Sequence, residues 1–180
     1  MRIPKNDVAA VVVDVQERLF PFIHAYEQLE ATIVKFVKGL QVLDAPTIVT
    51  QQYTKGLGPT IPAVAEALGE HQVYEKMTFS CCGDPAFMEA LKATGKFTIL
   101  LVGIECHICV LQTALDLLEN GFKPVLVADG TSSRKPADKE IAMERMREEG
   151  IIITTYESIL FELCRVAGTD QFKAISRLVK

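Results

Sequence analysis

The segment Cys106-His107-Ile108-Cys109 places two thiols and an imidazole between an apolar run and a helical pattern. The thiolate of a cysteine is stabilised at the start of a helix, so Cys109 is a candidate nucleophile. The same Cys-x-x-Cys spacing is found in redox dithiols. A third interpretation is a buried cysteine that packs as a small apolar residue, because free cysteine is among the most buried residue types. These residues by themselves leave the three interpretations open.

A zinc site is a fourth interpretation, in which the vicinal pair Cys81 and Cys82 joins Cys106, His107 and Cys109. Structural zinc usually draws on two spaced pairs of ligands, and adjacent cysteines make a poor second pair. We therefore expect neither metal nor cofactor. The sequence also lacks a Gly-x-Ser-x-Gly elbow, a Walker loop, a Gly-x-Gly-x-x-Gly after the first strand and a His-Glu-x-x-His helix.

Two charged residues end apolar runs. Asp14 follows six apolar residues, and Lys76 ends another short run. An unpaired buried charge is costly, so we expect the two to form an ion pair. A cation near a thiol lowers the thiol pKa, so we expect Lys76 to favour the thiolate of Cys109. An ion pair with a purely structural role is the alternative. Asp129, before Gly130, is interpreted as a turn aspartate.

Six short runs rich in β-branched residues predict strands. They are apolar without a break, as in strands that are buried on both faces of a parallel sheet. The runs are Val8–Val13, Pro46–Thr50, Gln72–Lys76, Phe97–Val102, Pro124–Ala128 and Ile151–Thr155.

The segments between these runs have helical spacing of apolar residues. They are Tyr26–Leu43, Pro62–Leu68, Pro85–Thr94, Ile108–Asn120, Pro136–Glu149, Ser158–Val166 and Asp170–Val179. Alternation of strand and helix predicts one domain over residues 1–180, an α/β fold with a three-layer α/β/α Rossmann-like sandwich around a mainly parallel six-stranded sheet. Ligands of such sheets bind at the carboxyl ends of the strands, where Asp14, Lys76 and the segment after Gly103 are expected.

Residues 50–62, TQQYTKGLGPTIP, form the longest stretch without a helical or strand pattern. A loop of that length in a compact domain is usually functional or mobile. We therefore expect this segment to be a wall or a lid of the site.

Composition and charge argue against some classes of binding partner. The chain has 180 residues, 49% of them hydrophobic, and a formal net charge of −4 without a basic stripe. Such a surface offers little to a nucleic acid backbone or an anionic membrane. The N-terminal apolar run reaches Asp14 too early for a membrane span, and five cysteines without a spaced framework are typical of a reducing compartment. We expect a cytoplasmic protein without nucleic acid or membrane partners.

Three stretches together resemble one known family. VVVDVQERL, VYEKMTFS and VGIECHICVLQTALDLLENGF are similar to segments of the isochorismatase-like hydrolases, a superfamily of cysteine hydrolases. The likeness runs from Ala10 to the last strand. QQYTKGLGPTIP and DQFKAISRLVK resemble the isochorismatase domain-containing subgroup, whose substrates are mostly unassigned.

The resemblance implies roles for particular residues. Asp14, Lys76 and Cys109 match the Asp-Lys-Cys triad, with Cys109 as the nucleophile. Ile104-Glu105 matches the position of a non-proline cis peptide in the family, and the backbone N–H groups of Glu105 and Cys109 match its oxyanion hole. A small-molecule substrate and a homo-oligomeric assembly are implied as well.

Departures from the family pattern narrow the chemistry. Nicotinamidases hold a metal with an Asp-x-His motif where this chain reads Thr50-Gln51-Gln52-Tyr53, which argues against a metal and against nicotinamide. True isochorismatases lack the nucleophilic cysteine, so Cys109 favours hydrolysis of an amide or a related C–N bond through a thioester. A non-catalytic interaction protein on the same scaffold, and redox use of Cys106 with Cys109, remain alternatives.

Four further side chains are predicted to contact the substrate because they lie beside the triad or in the loop that faces it. They are Gln16, Gln52, Tyr53 and Phe79.

Overall fold

A computed structural model describes residues 2–180. Its six strands are β1 (Val8–Val13), β2 (Thr47–Gln52), β3 (Val73–Lys76), β4 (Thr98–Ile104), β5 (Lys123–Ser132) and β6 (Ile152–Thr154). Its α-helices are α1 (Tyr26–Val42), α2 (Thr54–Leu57), α3 (Pro62–Leu68), α4 (Pro85–Ala93), α5 (Leu111–Glu119), α6 (Pro136–Glu148), α7 (Tyr156–Cys164) and α8 (Asp170–Val179).

The strands form one parallel sheet in the order β3-β2-β1-β4-β5-β6. Successive strands are added on one side of β1 up to β3 and on its other side from β4 onward. Sheets of this topology bind ligands at this switch point, between β1 and β4. The predicted α/β sandwich is confirmed, and within residues 2–180 every named strand pairing is parallel.

Two apolar layers cover the sheet. Along β1, Ala10 and Val12 belong to an apolar cluster that includes residues of α1, α3, α7 and α8, whereas Ala9, Val11 and Val13 belong to a cluster that includes residues of α4, α5 and α6. Because side chains of a strand alternate between faces, an unbroken apolar run is what a sheet covered on both sides requires.

Gly103 allows β4 to run close beside the end of β1. Its φ is +114°, and a Cβ at this position would overlap the carbonyl oxygen of Val13. Any other residue would therefore push the two strands apart next to Asp14.

Two predicted features differ in the structure. Residues 50–62 are more ordered than expected, because β2 continues to Gln52, α2 follows, and Thr60 forms an antiparallel bridge with Gln16. Asp129 is not in a turn but within β5, which bulges between Leu126 and Thr131 as it continues along β4. The bulge explains why the apolar run ends several residues before the strand does.

Candidate active site

The candidate site lies at the carboxyl ends of β1, β3 and β4. Asp14 directly follows β1, Lys76 ends β3, and the turn with Cys109 follows β4. Parallel strands bring their carboxyl ends to one edge of the sheet, so three residues far apart in sequence meet there.

Asp14 and Lys76 form the predicted ion pair. The Lys76 Nζ lies 2.6 Å from Asp14 Oδ2, and the two side chains are 1% and 2% exposed, respectively. The Thr50 hydroxyl donates to the second carboxylate oxygen, Asp14 Oδ1, at 2.8 Å. Both oxygens of this buried carboxylate therefore have a donor. Asp14 itself has a φ of +51°, a conformation that aspartate and asparagine tolerate better than most residues.

The ammonium of Lys76 is saturated by acceptors. Besides Asp14 it donates to Gln52 Oε1 at 2.7 Å, and to the carbonyl oxygens of Phe79 and Thr78 at 2.9 and 3.2 Å. Burial lowers the pKa of Lys76. The negative charge of Asp14 raises it, with smaller contributions from Cys81 and Cys109, and these effects together outweigh burial, so that the pKa is raised. Lys76 thus remains charged at neutral pH.

Cys109 lies in a single π-helical turn, Cys106–Val110, that leads into α5. The turn is fixed at its start, where the Glu105 carbonyl accepts from the N–H groups of Ile108 and Val110 at 3.1 and 3.2 Å. Such turns are rare and are often found at functional sites. The helix that was predicted to begin at Ile108 therefore begins at Cys106, and its first turn is π-helical rather than α-helical.

The resting protonation state of Cys109 differs from the prediction. Burial raises the pKa of its thiol, the charge of Asp14 raises it further, and Lys76 lowers it by less than these two raise it. Lys76 thus favours the thiolate, as expected, but its effect is too small to set the protonation state, because Asp14 matches the ammonium and Cys109 is only 8% exposed. The thiol is protonated at neutral pH and needs a base in order to react.

A cavity of about 100 Å³ joins these groups. Its walls consist of Asp14, Leu19, Gln52, Leu57, Phe79, Ile104, Glu105, Ile108 and Cys109. The carboxylate of the ion pair and the candidate nucleophile thus face the same small space. The Ile104–Glu105 peptide bond, at which the resemblance implies a cis geometry, is cis in the structure.

Two of the four predicted substrate contacts line this cavity, and two do not. Gln52 and Phe79 are part of the wall. The Gln16 amide instead donates to the carbonyl oxygens of Gly58 and Gln52 at 2.7 and 3.0 Å, and accepts from the Gln52 N–H at 2.7 Å. Gln16 is therefore a buried tether of the loop that follows β2. Tyr53 is 45% exposed and precedes α2 in the left-handed conformation, outside the cavity.

Residues that the sequence analysis did not single out complete the site. Leu19, Leu57 and Ile108 form much of the apolar wall. Leu57 belongs to the segment expected to be a wall or a lid, and the Arg18 guanidinium fixes that segment by donating to the carbonyl oxygens of Lys55 and Gly56. Thr50, the partner of Asp14, was detectable in principle, since it ends an apolar run that pairs with β1.

Cys106 and Cys81 are buried outside the cavity. Cys106 is fully buried in the core and lines no part of the cavity, and burial raises the pKa of its thiol to about 11. Cys81 is also fully buried, burial raises its pKa to about 11, and its Sγ lies 3.6 Å from the Thr50 hydroxyl. All five cysteines are free thiols.

Two absences apply to the part of the chain that the structure describes. No three His, Cys, Asp or Glu side chains between residues 2 and 180 are grouped so that they could hold a metal ion. In the same range, no helix has the length and apolar character needed to cross a bilayer.

Comparison with known sequences finds close relatives. The isochorismatase domain family model matches residues 8–158. Isochorismatase domain-containing protein 1 of Salmo salar is 38% identical over 167 residues, which are 93% of this chain and 59% of that protein. Isochorismatase domain-containing protein 2A of Mus musculus is 38% identical over 168 residues, which are 93% of this chain and 80% of that protein.

Solved structures share the fold over nearly the whole chain. The MAR1 ribonuclease of Caenorhabditis elegans has a TM-score of 0.93 at 37% identity and covers 99% of this chain and 92% of its own. YcaC from Pseudomonas aeruginosa, with hexane-2,5-diol and covalent acrylamide, has a TM-score of 0.90 at 26% identity and coverages of 97% and 89%. The Escherichia coli YcaC gene product, an octameric hydrolase of unknown specificity, has a TM-score of 0.93 at 24% identity and coverages of 99% and 89%, a likeness of fold alone.

Proposed function

This chain belongs to the isochorismatase family, with isochorismatase domain-containing proteins among its relatives, and from that premise we propose that it is a cysteine-dependent hydrolase of a small-molecule amide or a related C–N bond. The observation that carries the proposal is the shared cavity of Asp14 and Cys109 at the switch point of the sheet, with Lys76 bound to Asp14. A carboxylate and a thiol that line the same cavity can act as a base and a nucleophile.

Acylation begins with proton transfer. Asp14 accepts the thiol proton of Cys109 as the sulfur attacks the carbonyl carbon, and a C–S bond forms. The protonated Asp14 then gives its proton to the leaving nitrogen as the C–N bond breaks, so that an amine departs and a thioester remains. The raised pKa of Cys109 makes this base necessary, because little thiolate is present before the substrate binds.

In deacylation, water is the nucleophile and the Cys109 sulfur is the leaving group. Asp14 accepts a proton from a water molecule whose oxygen attacks the thioester carbon, and the C–S bond breaks. The Cys109 sulfur recovers its proton from Asp14, and a carboxylic acid leaves. The sum is one amide and one water converted into one acid and one amine.

Charge on the reacting oxygen is stabilised by backbone N–H groups in this proposal. Glu105 and Cys109 both line the cavity, so that their N–H groups are the candidate oxyanion hole. Lys76 acts through Asp14, since its donors are directed to Asp14, Gln52 and two carbonyl oxygens.

One relative has reacted covalently with a small molecule that contains an amide group. The Pseudomonas aeruginosa YcaC structure contains covalent acrylamide, a small amide bound to the protein. This supports only that a protein of this fold has a group that reacts with acrylamide.

The proposal is tested by ammonia release from a panel of primary amides. We expect turnover by the wild type, none above background for Cys109→Ala, and wild-type rates for the matched control Cys106→Ala, whose thiol lies outside the cavity. Full activity of Cys109→Ala would overturn the mechanism. A protein inactive on every amide, with an unreactive Cys109, would favour the non-catalytic interaction protein.

Ribonuclease activity is the second candidate, because a relative at 37% identity is described as a ribonuclease. The net charge of −4 and a cavity of about 100 Å³ disfavour the binding of an RNA strand. Cleavage of a labelled single-stranded RNA by the wild type, lost in Cys109→Ala, would favour this candidate over the amide hydrolase.

We also propose that the chain forms a homo-oligomer, as the Escherichia coli hydrolase does. Large apolar side chains are exposed at Phe22, Met77 and Val166, and contact with a second copy would remove them from water. Light scattering after size-exclusion chromatography tests this proposal, and a mass of one chain at micromolar concentration would contradict it.

A further inference from the structure

The cavity is small and its walls are mainly apolar. It measures about 100 Å³, and five of its lining residues are Leu19, Leu57, Phe79, Ile104 and Ile108. Pockets for drug-sized ligands measure roughly 300–1,000 Å³. An apolar cavity of about 150 Å³ holds one benzene molecule. The cavity is partly open to solvent, so it has room for a carboxamide group and the first carbon atoms of a short chain whose end reaches the opening.

The amide of Gln52 lines the cavity but is already engaged at both ends. Its oxygen accepts from the Lys76 ammonium at 2.7 Å, and its nitrogen donates to the Met77 carbonyl at 2.9 Å. These two contacts fix the orientation of the Gln52 amide before a substrate binds.

The carboxylate of Glu105 is engaged as well. It accepts from the backbone N–H of Arg134 at 2.9 Å, and from the Arg134 Nε at 3.1 and 3.2 Å for its two oxygens. Glu105 is 4% exposed, so its orientation is set by Arg134 and not by solvent. The Asp14 carboxylate has Thr50 and Lys76 as donors. The polar side chains of the wall are therefore held in place by other groups of the protein, and most of the lining is apolar.

A negatively charged substrate would find no partner in this wall. None of the lining residues is a cation, and the adjacent ammonium of Lys76 already has four acceptors. A substrate carboxylate would be buried beside Asp14 without a counter-charge, and such burial is expensive.

We propose that the substrate is a short, uncharged aliphatic carboxamide, with an acyl chain of up to about four carbon atoms. This substrate class rests on the proposed hydrolase function. Apolar walls bind the alkyl chain, and the carboxamide lies beside Asp14 and Cys109.

The test compares butyramide with succinamate, in which a carboxylate replaces the terminal methyl group. Ammonia release is measured for acetamide, propionamide, butyramide, succinamate and benzamide, with Cys109→Ala as the blank. We expect kcat/KM to rise about fourfold for each added methylene up to butyramide, which corresponds to about 0.8 kcal/mol. We expect succinamate to be at least about a hundredfold poorer than butyramide, and benzamide about tenfold poorer.

A cavity variant tests the size limit. Leu57→Ala enlarges the wall and should raise kcat/KM for benzamide relative to butyramide by about tenfold. The matched control Leu118→Ala removes a partly exposed leucine of α5 outside the cavity and should leave this ratio unchanged.

The outcomes separate the two proposals. Release equal to the Cys109→Ala blank for every amide overturns the hydrolase function and the substrate class with it. Turnover of succinamate or benzamide at the rate of butyramide, or the same ratio in Leu57→Ala as in the wild type, overturns the substrate class alone.

Discussion

Asp14 has two opposing effects on the Cys109 thiol. Its charge raises the pKa of the thiol and so suppresses the thiolate. Its carboxylate nevertheless shares the cavity with Cys109 and is the candidate base, whereas the Glu105 carboxylate is bound by Arg134. Reactivity toward an alkylating agent and reactivity toward an amide should therefore respond differently to the removal of Asp14.

The variant Asp14→Asn should have faster alkylation and slower amide hydrolysis. Loss of the negative charge lowers the pKa of Cys109 while Lys76 remains, and each pKa unit is about tenfold in thiolate. Loss of the base and proton donor should reduce amide turnover by about a hundredfold or more. Iodoacetamide kinetics at pH 8 and ammonia release measure the two effects, with exposed Asp170→Asn as the control. A parallel decrease of both rates would show that Asn disturbs the fold instead.

Lys76 is expected to support stability through Asp14. The variant Lys76→Met leaves the buried carboxylate with the Thr50 hydroxyl as its remaining side-chain donor. Breaking a buried ion pair from one side typically costs about 3–5 kcal/mol of unfolding free energy. Urea titration measures this loss, and Lys173→Met, which breaks an exposed pair with Asp170, should change stability by less than about 1 kcal/mol. Equal effects of the two substitutions would contradict a structural role for the buried pair.

At the scale of elements, the end of β4 is tied to the connection between β5 and α6. Arg134 holds the Glu105 carboxylate, while the Glu105 carbonyl accepts from Ile108 and Val110 in the turn of Cys109. The remaining backbone group, the Glu105 N–H, is thereby positioned from both sides. Arg134 is a positioning residue in this account because its guanidinium is bound to Glu105 and lines no part of the cavity.

The variant Arg134→Ala should slow acylation without slowing alkylation. Acylation of Cys109 by p-nitrophenyl acetate develops charge on a carbonyl oxygen, and loss of one oxyanion donor commonly costs about 10²–10³ in rate, so a displaced donor should cost at least about tenfold. Alkylation by iodoacetamide develops no such charge and reports only on the thiol. Exposed Arg147→Ala on α6 is the control. An equal loss in both reactions would mean that Arg134 only maintains the fold.

The elements were largely predictable, and the site was predictable in part. Unbroken apolar runs such as Val8–Val13 predict parallel strands because both faces of the sheet are covered, and Asp14 was detectable as a charge directly after such a run. The bulge that carries Asp129 into β5 depends on pairing with β4, which no local pattern contains. The protonated state of Cys109 depends on burial and on how far Asp14 offsets Lys76, so it became visible only from the geometry.

At the scale of the whole molecule, buried thiols make stability sensitive to alkaline pH. Burial raises the pKa of Cys81 to about 11, of Cys82 to about 12 and of Cys106 to about 11, from an ordinary value of 9.0. Above pH 9 the unfolded chain loses these protons while the folded chain keeps them. Because the folded pKa values are raised, the stability they contribute is complete below pH 9 and decreases as the pH rises toward 11.

The free energy of unfolding should therefore fall between pH 9 and pH 11. Each such thiol contributes a slope that approaches about 1.4 kcal/mol per pH unit. Urea titrations at pH 7, 9, 10 and 10.5 measure the decrease. The variant Cys106→Ala should have a smaller slope of unfolding free energy against pH, because the contribution of one thiol is removed. Stability that is constant or rises over this range would contradict the burial of these thiols.

The most direct test of the central claim is peptide-resolved mass spectrometry of the acid-quenched protein after brief reaction with p-nitrophenyl acetate. We expect one acetyl group on Cys109, formed and lost within the turnover time, absent in Cys109→Ala and unaffected in Cys106→Ala. An acetyl group on any other cysteine, or none while ester turnover continues, would contradict the claim that Cys109 is the nucleophile.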